Sequence, residues 1–358
     1  MKIAQVCPRY YPNIGGIETH VQEISERLAK KFDVEVITAD LTYGGTYEEE
    51  INQVKIRRFH SVSPGDAYFF SPQIWWYLKN KDFDIIHAHN YHAFPALFAS
   101  LTKKGTFVFS PYYHGKGSTF FRDFLNMPYK LIGSKIFKIA DRIISVSEFE
   151  KELIKKNFSC LDDSKIIVIP SGVNIEKIKT AQPFDFDGKL ILYIGRLDQY
   201  KNIDLVVRAM KYLPDFKFYI IGKSGNYKQE LLTLIKKMHM VERVKILDTV
   251  PNEEKYRWLK TCSLFINLSD IESFGITILE ALCAGKSIIV NDAGGLGELA
   301  QKFKEITAVD RSAYSDELNL KEFAAIIKQT SGKTYYHDLA EYSWDIIAQR
   351  IEEAYLNF

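Results

Sequence analysis

Residues 181–196 read Ala-Gln-Pro-Phe-Asp-Phe-Asp-Gly-Lys-Leu-Ile-Leu-Tyr-Ile-Gly-Arg, a polar, turn-rich stretch that leads directly into an apolar run. Residues 181–188 have no hydrophobic period, which is typical of a linker. The run at residues 189–196 is apolar without alternation, which predicts a strand covered on both faces, as in a parallel sheet. A strand of this kind after a mid-chain linker indicates that a second domain begins here.

Short apolar runs alternate with longer helical patterns on both sides of this stretch. Strands are predicted at residues 2–7, 34–39, 55–59, 85–89, 106–111, 142–147, 165–170, 189–196, 217–222, 244–248, 264–269 and 287–292. Strands that alternate with helices of about 10–15 residues form βαβ units. The sequence therefore predicts an α/β chain of two doubly wound, Rossmann-like domains facing a central cleft, with ligands at the carboxyl ends of the strands.

The same pattern suggests the extent of each domain. We expect the N-terminal domain at residues 1–175 and the C-terminal domain at residues 185–343. The last helical pattern, residues 344–358, has one apolar face, which we expect to pack back on the N-terminal domain.

Composition excludes several classes of protein. Of 358 residues, 46% are hydrophobic and 26% charged, which is ordinary for a globular chain. The 47 basic and 45 acidic side chains leave a net charge of +2, so a nucleic-acid binder is not indicated. The four scattered cysteines fit a reducing compartment and form no zinc or disulfide pattern. Because neither a membrane span nor a signal peptide is evident, we expect a cytoplasmic protein.

Two loops that follow predicted strands suit an anionic ligand. Gly15 and Gly16 stand directly before a helical pattern, where glycines admit a ligand and helical N–H groups favour an anion. Arg196 and Lys201 follow the strand at 189–196, where two cations beside a helix start favour a diphosphate and would stabilise a departing phosphate. A plain turn and a solvated loop are the alternative interpretations.

Two carboxylates accompany the strand at 264–269. Glu272 precedes a helix start, and Glu280 lies two turns along that helix, roughly 12 Å away at the usual rise per residue. This separation is too large for a glycosidase pair and suits the two ends of one long ligand. Carboxylates accept hydrogen bonds well from sugar and ribose hydroxyls. A dipole-stabilising Glu and an exposed helical Glu are the alternatives.

Histidines and paired aspartates raise the question of metals. His114 follows the strand at 106–111 and could place a proton donor over a substrate, or be structural. For His87, His89 and His92 we favour packing or cleft-lining roles over a metal site. The Asp-Phe-Asp stretches at 82–84 and 185–187 precede a strand or fall in the linker, so we expect no metal site there.

Residues 103–138 combine seven basic side chains and one acidic side chain with many aromatics. A basic face beside aromatics can sit on an anionic membrane surface, so we expect a peripheral membrane contact there. An ordinary amphipathic helix with a solvated face is the alternative.

Together the motifs resemble the retaining glycosyltransferases of glycosyltransferase family 4, which have the GT-B architecture. The resemblance runs almost end to end. Its motifs are Gly-Gly-Ile-Glu-Thr-His at 15–20, Tyr-His-Gly at 113–115, Pro-Ser-Gly-Val-Asn at 170–174, Gly-Arg-Leu-x-x-x-Lys at 195–201, Glu-x₇-Glu at 272–280 and Asp-Ala-Gly-Gly-Leu-Gly-Glu at 292–298.

The resemblance implies a hexosyltransferase-type enzyme and a role for each motif. Arg196 and Lys201 would hold the diphosphate of a UDP- or GDP-linked sugar, Glu272 would contact the sugar and Glu280 the ribose. His114 would line the reaction centre. Further donor contacts would come from Gly15, Gly16, Val250, Ser273, Phe274, Gly275 and Ile276. Members usually need no metal or other cofactor, and retention is usually explained by front-face attack.

Departures from the family pattern bear on the nucleotide base. Asn202 follows Lys201 where many members have Gly, and Asp248 stands where a Gly often precedes the base-contacting turn. The leading hypothesis is sugar transfer from a nucleotide diphosphate to a hydroxyl acceptor, either a glycan or a lipid-linked molecule. A nucleotide-sugar epimerase or hydrolase and a non-catalytic nucleotide-sugar-binding protein are the alternatives.

Overall fold

The computed structural model describes residues 1–41, 45–63, 68–102, 104–115, 133–158, 161–222, 225, 227–314 and 316–357. The chain divides into two compact units, Met1–Gly172 with Trp344–Phe358, and Val173–Ser343. Each unit is built on a mainly parallel sheet with helices on both faces, which confirms the predicted class of α/β with two Rossmann-like domains.

The first unit contains an eight-stranded sheet among the described residues. Its strands are β1 (Lys2–Cys7), β2 (Asp33–Asp40), β3 (Tyr47–Ile51), β4 (Val54–His60), β5 (Ile85–His89), β6 (Thr106–Ser110), β7 (Arg142–Ser145) and β8 (Ile166–Val168). Their order is β3-β4-β2-β1-β5-β6-β7-β8, parallel except for β3 against β4. Successive residues of β1 point to opposite faces of the sheet. Ala4 and Val6 pack in the hydrophobic core on one face, and Ile3 and Cys7 pack in the core on the other face. The chain order reverses between β1 and β5, which makes their carboxyl ends a topological switch point.

Helices cover both faces of this sheet. They are α1 (Gly16–Leu28), α2 (Gln73–Lys79), α3 (Phe94–Ser100), α4 (residues 133–139) and α5 (Glu148–Asn157). Val21, Ile24 and Leu28 line the inner face of α1, at the helical spacing seen in the sequence. Ser147 caps α5 by accepting a hydrogen bond from the backbone N–H of Glu150, which fixes where the helix begins.

The second unit contains a six-stranded parallel sheet. Its strands are β9 (Lys189–Ile194), β10 (Phe216–Ile221), β11 (Val244–Leu247), β12 (Leu264–Asn267), β13 (Ile288–Asn291) and β14 (Ile306–Val309), in the order β11-β10-β9-β12-β13-β14. This is the 3-2-1-4-5-6 order of the Rossmann fold, with the switch point between β9 and β12. The helices are α6 (Ile175–Thr180), α7 (Ile203–Ala209), α8 (Lys228–Lys237), α9 (Asn252–Thr261), α10 (Ile276–Cys283), α11 (Gly294–Lys302) and α12 (Glu317–Thr330).

The C-terminal helix α13 (Trp344–Leu356) lies in the first unit, along α1. Its buried face consists of Trp344, Ile347, Ala348, Ile351, Ala354 and Tyr355. Gly172 makes room for the first of these, because a Cβ there would lie 2.6 Å from the Trp344 ring. In the part of the chain that the structure describes, every helix falls short of the length and apolarity that a membrane span requires.

The structure differs from the predicted domain ranges at residues 173–184, which belong to the second unit. Residues 181–187 have no helix or strand, but the segment is not a free linker. The backbone N–H of Phe184 donates to Thr261 Oγ1 at 2.7 Å, and its ring packs 4.3 Å from the Trp258 ring. Aromatic side chains within a polar stretch bury against α9, and this attaches the segment to the second unit.

Candidate active site

The candidate site of the second unit lies at the switch point between β9 and β12. Arg196 follows β9, and Lys201 ends a short 3₁₀ turn, Gln199–Lys201, two residues before α7. Glu272 lies in the loop between β12 and α10. Because β9 and β12 are neighbours in the sheet, the loops after them lie side by side. The strand order therefore brings together residues that are 71 positions apart in the chain.

Lys201 and Glu272 form a direct ion pair. Lys201 Nζ lies 2.8 Å from Glu272 Oε2, with the lysine side chain 10% exposed and the glutamate side chain 27% exposed. Burial acts to lower the pKa of Lys201, but Glu272, Tyr200 and Tyr193 outweigh it and raise the pKa above its ordinary value. The lysine is therefore a fixed positive charge with one face against a carboxylate.

Arg196 adds a second cation beside this pair. Its guanidinium lies 2.5 Å from Asp198 Oδ2 and donates to Tyr200 Oη at 3.0 Å, while half of the side chain remains exposed. Tyr193 Oη donates to the backbone carbonyl of Arg196 at 2.9 Å, so the turn that carries the arginine is anchored to buried β9. An exposed guanidinium on a fixed turn can exchange these contacts for those of an incoming anion.

Glycines shape the loop that carries Glu272. Gly275 has φ +101°, a left-handed conformation that few other residues adopt, and α10 begins at the next residue. Gly295 allows α11 to approach the loop, because a Cβ there would lie 2.4 Å from the Ser273 carbonyl oxygen. The N–H of Gly295 donates to the Glu272 carbonyl at 2.9 Å. Ser273, Phe274 and Ile276 are thereby held in a fixed turn at the start of α10.

Glu280 lies deeper in the same helix. Its side chain is 4% exposed, and Oε1 accepts from Lys255 Nζ of α9 at 2.6 Å. The other carboxylate oxygen, Oε2, is buried and has no hydrogen-bond partner among the described residues. Val250 is half-buried in the loop between β11 and α9, two residues before the helix that supplies Lys255. A buried acceptor without a donor is a place for a ligand hydroxyl.

Gly15, Gly16 and His114 belong to the first unit. Gly15 caps α1 at the switch point of that sheet, and a Cβ there would lie 2.3 Å from Glu18 Oε2. His114 lies in the loop after β6, with its ring stacked on His92 at 5.1 Å between centroids. The structure thus places Arg196, Lys201, Glu272, the 273–276 turn, Glu280 and Val250 in the second unit, and Gly15, Gly16 and His114 in the first unit.

Glu150 holds the loop that carries His114. Its carboxylate accepts the backbone N–H of Val146 at 2.7 Å and the backbone N–H of Tyr113. Complete burial raises the pKa of Glu150 to about 8, although the two backbone hydrogen bonds act to lower it. No feature of the sequence pattern distinguishes Glu150 from an exposed helical glutamate.

His87 and His89 are buried in a hydrogen-bonded network. His87 bonds to Tyr355 Oη at 2.7 Å and to Ser110 Oγ at 2.8 Å, and His89 bonds to Gln5 Oε1 at 2.7 Å. These contacts agree with a packing role. In the ranges that the structure describes, no group of three or more His, Cys, Asp or Glu side chains is placed to hold a metal.

The sequence analysis did not predict a role in the site for Lys255 or for Asn202. Lys255 is one of several charged residues at the start of α9, and its partner Glu280 is 25 residues away. Asn202 departs from the family pattern, but the sequence does not indicate that its side chain bonds to the Leu268 carbonyl after the neighbouring strand β12. Because Arg257 and Lys260 lie on the same helix, no local signal distinguishes Lys255.

Both halves of the chain match known glycosyltransferase domains. Residues 14–177 match the domain described as Glycosyltransferase Family 4, and residues 174–343 match the domain described as Glycosyl transferases group 1. An uncharacterized glycosyltransferase of Methanocaldococcus jannaschii is 28% identical over 299 residues, covering 81% of this chain and 79% of the relative.

Two further proteins illustrate the range of the likeness. A phosphatidylinositol N-acetylglucosaminyltransferase subunit of Saccharomyces cerevisiae is 24% identical over 380 residues, covering 99% of this chain and 82% of the relative. The crystal structure of Anabaena HepE in complex with UDP superposes with a TM-score of 0.77 at 16% identity, covering 100% of both chains. At that identity, the superposition establishes the fold.

Proposed function

We propose that this chain, whose two halves match glycosyltransferase domains, transfers a sugar from a nucleotide diphosphate donor to a hydroxyl group of an acceptor. The observation that carries the proposal is the ion pair between buried Lys201 and half-buried Glu272 at the switch point of the second sheet, with Arg196 beside it. Cations that flank a carboxylate at the carboxyl edge of a Rossmann sheet suit a ligand with a diphosphate on one side and a sugar on the other.

The donor is held from the second unit. Arg196 and Lys201 bind the diphosphate, and Glu272 accepts hydrogen bonds from the sugar hydroxyls. Glu280 Oε2 is buried and has no donor among the residues that the structure describes, and it accepts from a ribose hydroxyl. The 273–276 turn offers the backbone N–H groups at the start of α10, and Val250 lies on the side of the base. The UDP complex of the structurally similar HepE is consistent with a uridine or related nucleotide.

Transfer breaks the bond between the anomeric carbon and the diphosphate oxygen and forms a bond from the acceptor oxygen to the same carbon. The acceptor hydroxyl passes its proton to the departing diphosphate oxygen, and the nucleotide diphosphate leaves with the electron pair of the broken bond. Negative charge therefore grows beside Lys201 and Arg196, and fixed cations at that point lower the barrier. We propose that the two side chains supply this charge in place of a metal, and that attack from the front face retains the anomeric configuration.

The first unit contributes the acceptor side. We propose that Gly15 and Gly16 contact the donor phosphate and that His114 contacts the reacting sugar. The yeast relative is a phosphatidylinositol N-acetylglucosaminyltransferase subunit, which favours a lipid-linked acceptor over a free glycan. A peripheral membrane contact through residues 103–138 remains a prediction, because residues 103 and 116–132 lie outside the described part of the chain. Co-sedimentation with anionic and neutral vesicles tests it: equal recovery would contradict an electrostatic contact.

Turnover of UDP- and GDP-linked hexoses with lipid-linked and glycan acceptors tests the proposed function. Lys201→Ala and Glu272→Ala should each lower kcat by about 100-fold or more while the far-UV circular dichroism is unchanged. Lys211→Ala is the matched control, because Lys211 pairs with Glu317 at 2.6 Å on the exposed surface. Its kcat should equal that of the wild type.

Five outcomes would contradict parts of the proposal. Full activity in Lys201→Ala and Glu272→Ala would refute the assigned roles. Release of free sugar or an epimer at the full rate without acceptor would indicate a hydrolase or epimerase, and nucleotide binding without any turnover would indicate a binding protein. Loss of activity in EDTA, or a product of inverted configuration by NMR, would refute metal independence or retention.

A further inference from the structure

Asn202 has an unusual backbone conformation next to Lys201. Its φ of 53° and ψ of 35° lie in the left-handed region, between the 3₁₀ turn that ends at Lys201 and the first residue of α7. Glycine adopts this region freely, and asparagine is among the few other residues that tolerate it. The backbone at this position therefore explains a glycine or an asparagine equally well.

The side chain of Asn202 does what glycine cannot do. Its Nδ2 donates to the carbonyl of Leu268 at 2.7 Å and to the carbonyl of Tyr200 at 3.2 Å, which uses both N–H groups of the amide. Leu268 directly follows β12, at the base of the loop that carries Glu272. The backbone N–H of Asp270 in the same loop donates to the Tyr200 carbonyl at 2.9 Å. The Lys201 turn and the Glu272 loop are thus tied together across two strands.

We propose that Asn202 is a positioning residue, which holds the turn of Lys201 against the loop of Glu272 so that the two charged groups keep their 2.8 Å separation. The inference rests on the proposed function of Lys201, and it goes beyond it by assigning a role to a residue that need not touch the substrate. A transition-state contact depends on sub-ångström placement of the cation, so a looser turn lowers kcat more than it raises KM.

Asn202→Gly separates the side chain from the backbone, because glycine keeps the left-handed conformation and loses both amide hydrogen bonds. We expect kcat to fall by about tenfold, the size of one or two net hydrogen bonds, with the KM for the donor within about twofold. Asn202→Asp should fall at least as far, since a carboxylate cannot donate to the Leu268 carbonyl. His239→Gly is the matched control: His239 is an exposed residue with φ 56° after α8, so its replacement should leave kcat unchanged.

A double-mutant cycle distinguishes positioning of Lys201 from a general structural role. If Asn202 acts through Lys201, Asn202→Gly should lower kcat very little further in a Lys201→Ala background. An equal tenfold fall in both backgrounds would overturn the proposal, as would wild-type kcat in Asn202→Gly.

Hydrogen exchange of residues 268–272 tests the tie without any turnover. In the unliganded protein we expect Asn202→Gly to speed exchange of these amides by about tenfold, and His239→Gly to leave it unchanged. Unchanged exchange in Asn202→Gly would overturn the proposal even if the protein were a glycosyltransferase. Faster exchange in a protein that transfers no sugar would show the tie and refute the proposed function instead.

Discussion

The buried histidines predict that mild acid destabilises the first unit. His20, His87 and His89 lie close together, with ring centroids 4.0 Å apart for His87 and His89 and 6.2 Å apart for His20 and His89. Burial lowers the pKa of His20 to about 3, and burial together with the neighbouring imidazoles lowers the pKa of His87 and His89 well below 6.5. The folded unit therefore excludes protons that the unfolded chain accepts.

The sign and size of the change in unfolding free energy follow from this difference in proton binding. Stability contributed by a neutral buried histidine is present above about pH 6.5 and is lost as the pH falls towards the pKa of the folded state. The loss is about 1.4 kcal/mol per pH unit for each histidine, or about 2.7 kcal/mol for His20 between pH 6.5 and 4.5. His87 and His89 add to the loss in the same direction. Glu150, in the same unit, acts in the opposite direction because its pKa is raised.

Urea unfolding from pH 7.5 to 4.5, followed by hydrogen exchange in peptides of β1 and β5, measures this loss in the first unit alone. Exchange by peptide is needed because a chain of two units does not unfold as one two-state system. His20→Gln should reduce the slope of the unfolding free energy against pH by about 1.4 kcal/mol per pH unit, the contribution of one proton. Trp76→Gln, at an exposed site without a titratable group, should leave the slope unchanged. The wild-type slope in His20→Gln would refute the reasoning.

Two further predictions concern buried carboxylates. Because the pKa of Glu150 is raised to about 8 from 4.5, its contribution to stability is lost as the pH rises from about 4.5 through 8. Urea unfolding at several pH values should show that Glu150→Gln lacks this loss. Parallel curves of unfolding free energy against pH for the wild type and Glu150→Gln would contradict this prediction. Lys255→Met leaves the buried Glu280 carboxylate without its partner and should cost about 3–5 kcal/mol of unfolding free energy. Lys228→Met breaks the more exposed 2.6 Å pair with Asp248 and should cost under about 1 kcal/mol, so equal losses in the two variants would contradict the burial argument.

The strands of both sheets were largely predictable because each is a short apolar run between turn signals. Two strands, β3 and β14, were not predicted from the sequence. β3 reads Tyr-Glu-Glu-Glu-Ile, an acidic edge strand whose pairing depends on Arg57 and Arg58 of β4, which bond to Glu48 and Glu49. β14 reads Ile-Thr-Ala-Val, a short run with a polar and a small residue at its centre, and it pairs in parallel with β13 at the edge of the second sheet. Both strands owe their existence to a partner and not to a local pattern.

The candidate site was predictable in its residues but not in its contacts. Arg196, Lys201 and Glu272 each follow a recognisable strand, so their place at the carboxyl edge could be foreseen. That Lys201 pairs with Glu272 follows from β9 lying beside β12, which local periodicity does not encode. The supporting contacts of Asn202 and Lys255 depend on the same adjacency and on the packing of α9 against α10.

Calorimetric titration of UDP, GDP and ADP into the wild-type protein, Lys201→Ala, Glu280→Gln and the Lys211→Ala control addresses the donor site itself. The account predicts that at least one of the three nucleotides binds the wild type and Lys211→Ala equally, and binds Lys201→Ala and Glu280→Gln about tenfold or more weakly. Equal affinity in all four proteins, or no binding of any of the three nucleotides to the wild type, would contradict it.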